Sequence, residues 1–242
     1  MKKTKKRKQK STIINILQTG RPNKQFDYVE VYRHIRTNIE YSTMDKELKA
    51  ISITSTQPNE AKTTTAMNLA FIFAAKYEKV LLIDADLRKQ TLHKYMRLSN
   101  KSGLTNALMD FQKTRNIEKD HFQTLEHESF MGQLSILTAG ISVPNSSEIL
   151  GSDLFKDFLV ELKKEYDFII IDCAPVGTIS DAIPVGNATD GTIFVCSSQD
   201  TKRKDAAGCV SLLQRNNVNV LGTILTKTEE DASGHKYYYY YY

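Results

Sequence analysis

Four side chains of this chain carry the pattern of phosphate chemistry: Lys62, Asp84, Asp86 and Asp172, with hydroxyls at Thr63 and Thr64 beside the lysine. Lys62 lies in the stretch Pro58-Asn59-Glu60-Ala61-Lys62-Thr63-Thr64. Ile51 and Ile53 alternate ahead of it, and Ala66, Leu69, Ala70 and Phe73 follow at helical spacing. Strand, loop and helix in that order make a phosphate cradle. Backbone N–H groups and the positive end of the helix dipole face the anion, a lysine adds point charge, and a threonine hydroxyl reaches magnesium. Residues 58–64 are therefore the candidate ATP-binding loop, and Thr63 is a candidate Mg2+ ligand. The loop departs from the G-x-x-x-x-G-K-[ST] spacing, because Thr56 and Ala61 stand at its two glycine positions. Asn59 tolerates a positive φ. At Ala61 that conformation costs about 1–2 kcal/mol, equivalent to roughly tenfold in nucleotide affinity. The bland alternative is an ordinary strand-to-helix turn with an exposed lysine.

The carboxylates sit where such a loop needs them. Val80 to Ile83 is an apolar run long enough for a strand buried on both faces, and Asp84 and Asp86 follow it. Phe168 to Ile171 is a second such run, closed by Asp172. Open α/β sheets place ligands beyond the carboxyl ends of their strands. There, Asp84 and Asp86 can orient magnesium and accept a proton from an attacking hydroxyl, and Asp172 can hold magnesium directly or through water. Either acidic element alone is weakly specific, since an Asp-x-Asp pair is commonly a turn. In order after Lys62, the elements point together to one triphosphate site.

The elements that must position these residues read as a βαβ series. Further strands are expected at Leu134 to Leu137, Thr192 to Cys196 and Val218 to Leu225, with helices from Ser146 or Ser147 and from Thr201 to Arg215. Six strands alternating with helices predict a single α/β domain, a P-loop-type parallel sheet with helices on both faces. A helix over residues 27–42 is expected to begin at Asp27 and to bury Val31, Ile35 and Ile39. His93, His121 and His127 lack ligand spacing and read as surface residues. Cys173, Cys196 and Cys209 also lack metal spacing and read as reduced thiols.

The net charge of +5 is concentrated at one end. Residues 1–10 hold seven Lys and Arg, which leaves the remainder at −2. The body is therefore not a nucleic-acid binder, and residues 1–26 read as a flexible basic arm that can approach an anionic membrane surface. No apolar run reaches the length of a bilayer span, so a cytoplasmic protein is expected. Tyr237, Tyr238, Tyr239, Tyr240, Tyr241 and Tyr242 end the chain and supply six of its twelve tyrosines. Residues 231–242 read as a tail whose phenols suit phosphorylation, leaving residues 27–230 as the catalytic domain.

One further pattern, Glu30-x-x-Arg33-x-x-Arg36, places two guanidinium groups and a carboxylate along one helix. Together with the loop at 58–64, the strand Leu81 to Arg88, the strand Phe168 to Asp172 and the tyrosine tail, it resembles the bacterial tyrosine kinases of capsule and exopolysaccharide synthesis, the BY-kinases. The resemblance implies ATP- and Mg2+-dependent phosphorylation of tail tyrosines between neighbouring subunits of a ring. It also implies ring contacts through Glu30, Arg33 and Arg36, and a transmembrane activator of the polysaccharide co-polymerase type that recruits the protein to the inner face of the membrane. On the same basis, Lys62 holds the β- and γ-phosphates, Thr63, Asp84 and Asp172 serve the metal, and Asp86 is the base. Family loops carry glycine where Asn59 and Ala61 stand, and the last strand carries asparagine where Thr226 stands. Those departures imply weak or activator-dependent activity. Two other readings fit parts of the pattern: a partitioning or MinD-like P-loop ATPase, though Gln57 replaces the second loop lysine expected there, and an oligomerising adaptor that only accepts phosphate.

Deleting residues 1–10 is expected to reduce co-sedimentation with anionic vesicles, and unchanged sedimentation would remove the membrane role of the arm.

Overall fold

The computed structural model describes residues 28–43 and 47–228. The basic arm, Asp27 and the tail tyrosines Tyr237 to Tyr242 lie outside the described residues. The described part is one sheet between two layers of helices. Its strands are β1 (Ala50–Ser55), β2 (Lys79–Asp84), β3 (Gln123–Leu125), β4 (Gln133–Leu137), β5 (Phe168–Asp172), β6 (Gly191–Ser197) and β7 (Val220–Thr226). They lie in the order β3-β4-β2-β5-β1-β6-β7. Every pairing is parallel except β3 with β4. The helices are α1 (Tyr28–Tyr41), α2 (Lys62–Ala74), α3 (Leu92–Met96), α4 (Leu104–Thr114), α5 (Ser146–Gly151), α6 (Asp153–Glu165), α7 (Ala182–Ala188) and α8 (Arg203–Arg215).

Alternation along the central strands divides the core. Ile51, Ile53, Val80, Leu82, Phe168 and Ile170 face one helical layer, made chiefly by α1 and α2. Leu81, Ile83, Ile169, Ile171 and Phe194 face the other, made by α4, α6, α7 and α8. A strand buried on both faces needs apolar residues at consecutive positions, which is why these strands read as unbroken hydrophobic runs. On α2, burial extends beyond the expected face to Met67, Phe71, Ile72 and Ala74. Part of the cover is α1, whose Arg36 reaches the Ile72 carbonyl, and part is Phe130, whose ring stacks on Phe71. The Phe73 ring of α2 stacks on Phe168 of β5 with centroids 3.9 Å apart, joining the helix after the loop to the strand that ends at Asp172.

Several expectations need correction. A seventh strand, β3, pairs antiparallel at the sheet edge; its three residues are too few to show a periodicity. The helix expected from Ser146 onward is two helices, because Ser152 stops α5 and caps α6, its hydroxyl accepting the Phe155 N–H. On α1, Val31 is exposed, and Tyr32 and Ile35 pack beside buried Ile39 instead. His121 is not a surface residue: its side chain is 11% exposed and lies between the Ser102 hydroxyl and Asp110. His93 and His127 are half-buried. No helix among the described residues is long and apolar enough to cross a membrane.

The start of β1, which aims the loop, is held by Asp190. Its Oδ2 accepts the N–H groups of Lys49 and Ala50, and its Oδ1 meets Lys163 Nζ at 2.7 Å. Asp190→Ala leaves those donors without acceptors and is expected to cost about 1–3 kcal/mol in urea denaturation; an unchanged midpoint would show that β1 is anchored otherwise.

Candidate active site

Register brings the carboxylates together. Asp84 at the end of β2 stands opposite Asp172 at the end of β5, and β1, next to β5, pairs Ile53 with Asp172. The loop leaving β1 therefore starts beside both acidic strand ends. The Lys62 ammonium, at the first turn of α2, donates to Asp172 Oδ1 at 2.6 Å and lies 3.7 Å from Asp86 Oδ2. Its Nζ is also 3.5 Å from the Thr63 hydroxyl. Lys62, Thr63, Asp84, Asp86 and Asp172 are all buried, so five of the residues singled out from the sequence share one low-dielectric site.

Burial works against the Lys62 charge, but Asp172, Asp86 and Asp84 outweigh it and hold the proton above the ordinary lysine value of 10.5. Asp84, fully buried and facing Asp172, is pushed well above 3.8 despite attraction to Lys62. Burial also raises Asp86, against the pull of Lys62. The sheet thus places more negative charge than one lysine neutralises, an arrangement that favours a second cation. Asp86 is 6% exposed, whereas Asp84 and Asp172 are fully enclosed. Of the three carboxyls it is the one open to an incoming hydroxyl, and its raised pKa makes it a stronger base than a free aspartate.

The residues present fit magnesium. Asp172 Oδ2 is buried and has no hydrogen-bond partner among the described residues, and the Thr63 hydroxyl and Asp172 Oδ1 both approach Lys62 Nζ. Asp84 Oδ1 and Oδ2 already accept the N–H groups of Asp86 and Leu92, so Asp172 is the freer of the two acidic candidates. Among the described residues no three His, Cys, Asp or Glu side chains form a metal cage by themselves. Magnesium characteristically takes only one or two carboxylates and completes its shell with water and substrate phosphate.

The loop keeps its shape without glycine. Asn59 and Ala61 both take positive φ, 69° and 64°, so the expected strain at Ala61 is built into the fold. Glu60 braces it: its buried Oε2 accepts the N–H groups of Thr56 and Gln57, and its Oε1 accepts the Thr201 hydroxyl. Thr226, at the end of β7, donates to the Glu60 carbonyl, which makes it a loop support. Pro58 is exposed at the loop tip and Thr64 is half-buried on α2. Gly177 passes against the loop so closely that a Cβ would lie 2.2 Å from the Thr56 carbonyl oxygen. The sequence reading missed the bracing roles of Glu60, Thr201, Thr226 and Gly177. Three of them lie more than 100 residues from the loop, and only a charged residue inside a phosphate loop hinted at the fourth.

On α1 the three residues of the Glu-x-x-Arg-x-x-Arg pattern part company. Glu30 and Arg33 pair at 3.3 Å on the exposed side. Arg36 turns inward, donating to the Ile72 carbonyl at 2.9 Å and lying 3.6 Å from Glu40.

A largely parallel sheet whose loop, lysine and acidic strand ends meet at one rim defines a fold of the P-loop NTPase type. Residues 48–199 match the AAA domain family. The chain is 40% identical to the tyrosine-protein kinase YwqD of Bacillus subtilis over 196 residues, 81% of this chain and 79% of that protein. It is 32% identical to the tyrosine-protein kinase CpsD of Streptococcus pneumoniae, covering 86% of this chain and 87% of that one. Among solved structures, the chimerical protein CapA2B2 superposes with a TM-score of 0.78 at 31% identity, over 91% of each chain. The chain belongs to this family of bacterial protein-tyrosine kinases.

The Asp84 shift has a definite sign. Between 3.8 and its higher folded-state value, the folded chain binds a proton that the unfolded chain has lost, so wild-type stability falls as pH rises through that window. In chelator-treated protein, Asp84→Asn is therefore expected to gain stability relative to wild type as pH rises from about 4 toward neutrality; parallel denaturation midpoints across that range would refute the shift.

Proposed function

We propose that the chain transfers the γ-phosphoryl group of Mg-ATP to tyrosines 237–242 of a neighbouring copy, and that this modification regulates capsule or exopolysaccharide synthesis. The observation that carries the reading is Lys62 bonded to Asp172, on the sheet rung it shares with Asp84, with Asp86 at the opening. Lys62 supplies positive charge to the β- and γ-phosphates, and the N–H groups of residues 58–64 surround them. Thr63, Asp84 and Asp172 would hold the metal, which would supply charge neutralisation at the transferred group. Asp86 takes the phenolic proton as the tyrosine oxygen bonds to the γ-phosphorus and the bond to ADP breaks. A free phenol titrates near 10, so a base held at the acceptor position is required.

The copies form a ring through the exposed edge of α1, where Glu30 and Arg33 offer complementary charge, while Arg36 fixes α1 onto α2. A transmembrane activator of the polysaccharide co-polymerase type brings the ring to the inner face of the membrane, and the basic arm adds attraction to anionic lipid.

With activator and Mg-ATP present, Lys62→Met is expected to lose tail phosphotyrosine. The change also leaves buried carboxylates uncompensated, at roughly 3–5 kcal/mol, so Asp86→Asn serves as the second variant. Mixing tail-deleted wild type with Lys62→Met is expected to label the Lys62→Met tail. Undiminished labelling in either single variant overturns the assigned roles, and an unlabelled tail in the mixture overturns transfer between copies.

A further inference from the structure

Beside the acceptor carboxylate lies a cationic cleft that the transfer chemistry does not use. A cavity of about 400 Å³ is lined by Arg88, Lys89, His93, Lys94, Asn100 and Ser142 among others, with no acidic residue in its wall. It begins where the base ends, because the Lys89 N–H donates to Asp86 Oδ1 at 3.0 Å. Arg88 is held in position. Its Nε donates to Asp181 Oδ2 at 3.0 Å and its Nη2 to Ser147 at 3.2 Å, while Nη1 has no partner among the described residues. Lys89 and Lys94 are exposed and, among the described residues, form no ion pair. Three cations gathered beside a base, only one of them neutralised, constitute a site for a compact anion.

The tail supplies two kinds of anion. Glu229, Glu230 and Asp231 lie at least six residues before Tyr237, roughly 20 Å along an extended chain. A phosphate already placed on one tyrosine of the 237–242 run lies only a residue or two from the next acceptor, and the cleft adjoins Asp86 through Lys89. A phosphotyrosine also carries about −1.5 to −2 charge and three acceptor oxygens, which suits a guanidinium and two ammonium groups better than a single carboxylate does.

We propose that this cleft seats a phosphotyrosine of the incoming tail, so that each phosphate added holds the next tyrosine at Asp86. The inference rests on the tail being the acceptor. Phosphorylation then runs along the tyrosine run within one encounter.

The test uses the full chain and synthetic peptides of residues 229–242, one unmodified, one with a single phosphotyrosine, and one phosphorylated with Glu229, Glu230 and Asp231 changed to amides. By fluorescence anisotropy the phosphopeptide is expected to bind wild type about tenfold more tightly than the unmodified peptide. The amide version should keep that gain, and Lys89→Ala/Lys94→Ala, whose exposed side chains form no ion pair among the described residues, should lose it. In intact-mass analysis after Mg-ATP and activator, the double variant is expected to accumulate singly phosphorylated chains where wild type passes on to multiply phosphorylated ones. Equal binding of phosphorylated and unmodified peptides, or a gain that disappears with the amides, overturns the proposal, as does an unchanged mass distribution. Phosphate-dependent binding in a chain that never labels its tail would support the cleft and sink the tail-kinase reading, so the two failures are separable.

Discussion

The site depends on one electrostatic constraint: a single buried ammonium, Lys62, stands among three carboxyls that the sheet register forces together. Asp84 and Asp172 occupy the same rung of adjacent strands, and no rearrangement short of breaking the sheet can separate them. Two desolvated carboxylates at that spacing are costly, and removing the one cation that compensates them is costlier still. The fold therefore holds standing negative potential at the rim where β1, β2 and β5 end. A divalent cation brought in with a nucleotide would relieve it, and Lys62 would face the phosphates.

Glycine is the usual means of bending a backbone around phosphate, because it takes positive φ without steric cost. Here Asn59 and Ala61 take that conformation and the surrounding contacts enforce it. Glu60 gathers the amides of Thr56 and Gln57 from one side, Thr226 grips its carbonyl from the other, and Gly177 moves the glycine requirement to a different loop, where close approach is needed. A motif defined by residue identity misses this loop, whereas a network of hydrogen bonds specifies it. The asparagine-to-threonine departure at position 226 reads differently in this light, since the hydroxyl supports the loop from the end of β7.

Helix α1 shows how one sequence pattern serves two ends. Glu30 and Arg33 remain on the surface, while Arg36 reaches across α2 and caps the Ile72 carbonyl, and Glu40 meets both Arg36 and Lys76. Helix α1 is thereby fastened to the helix that carries Lys62.

Much of this was legible in the residues alone, for a physical reason: strands buried on both faces must be continuously apolar, and an acidic residue directly after such a run has few structural excuses. Lys62, Asp84, Asp86 and Asp172 are visible on that ground, as are the central strands and the helix after the loop. The short edge strand β3, the break at Ser152 and the inward turn of Arg36 were not, because three residues show no period and side-chain direction on a helix depends on what packs beside it. Tertiary structure alone decided which carboxyl faces the opening, since exposure at a strand end depends on the neighbouring loops. It also decided that Thr201, Thr226 and Gly177 hold the loop around Glu60, because contacts made across more than 100 residues of chain leave no local pattern, and that basic residues after Asp86 gather around one cleft.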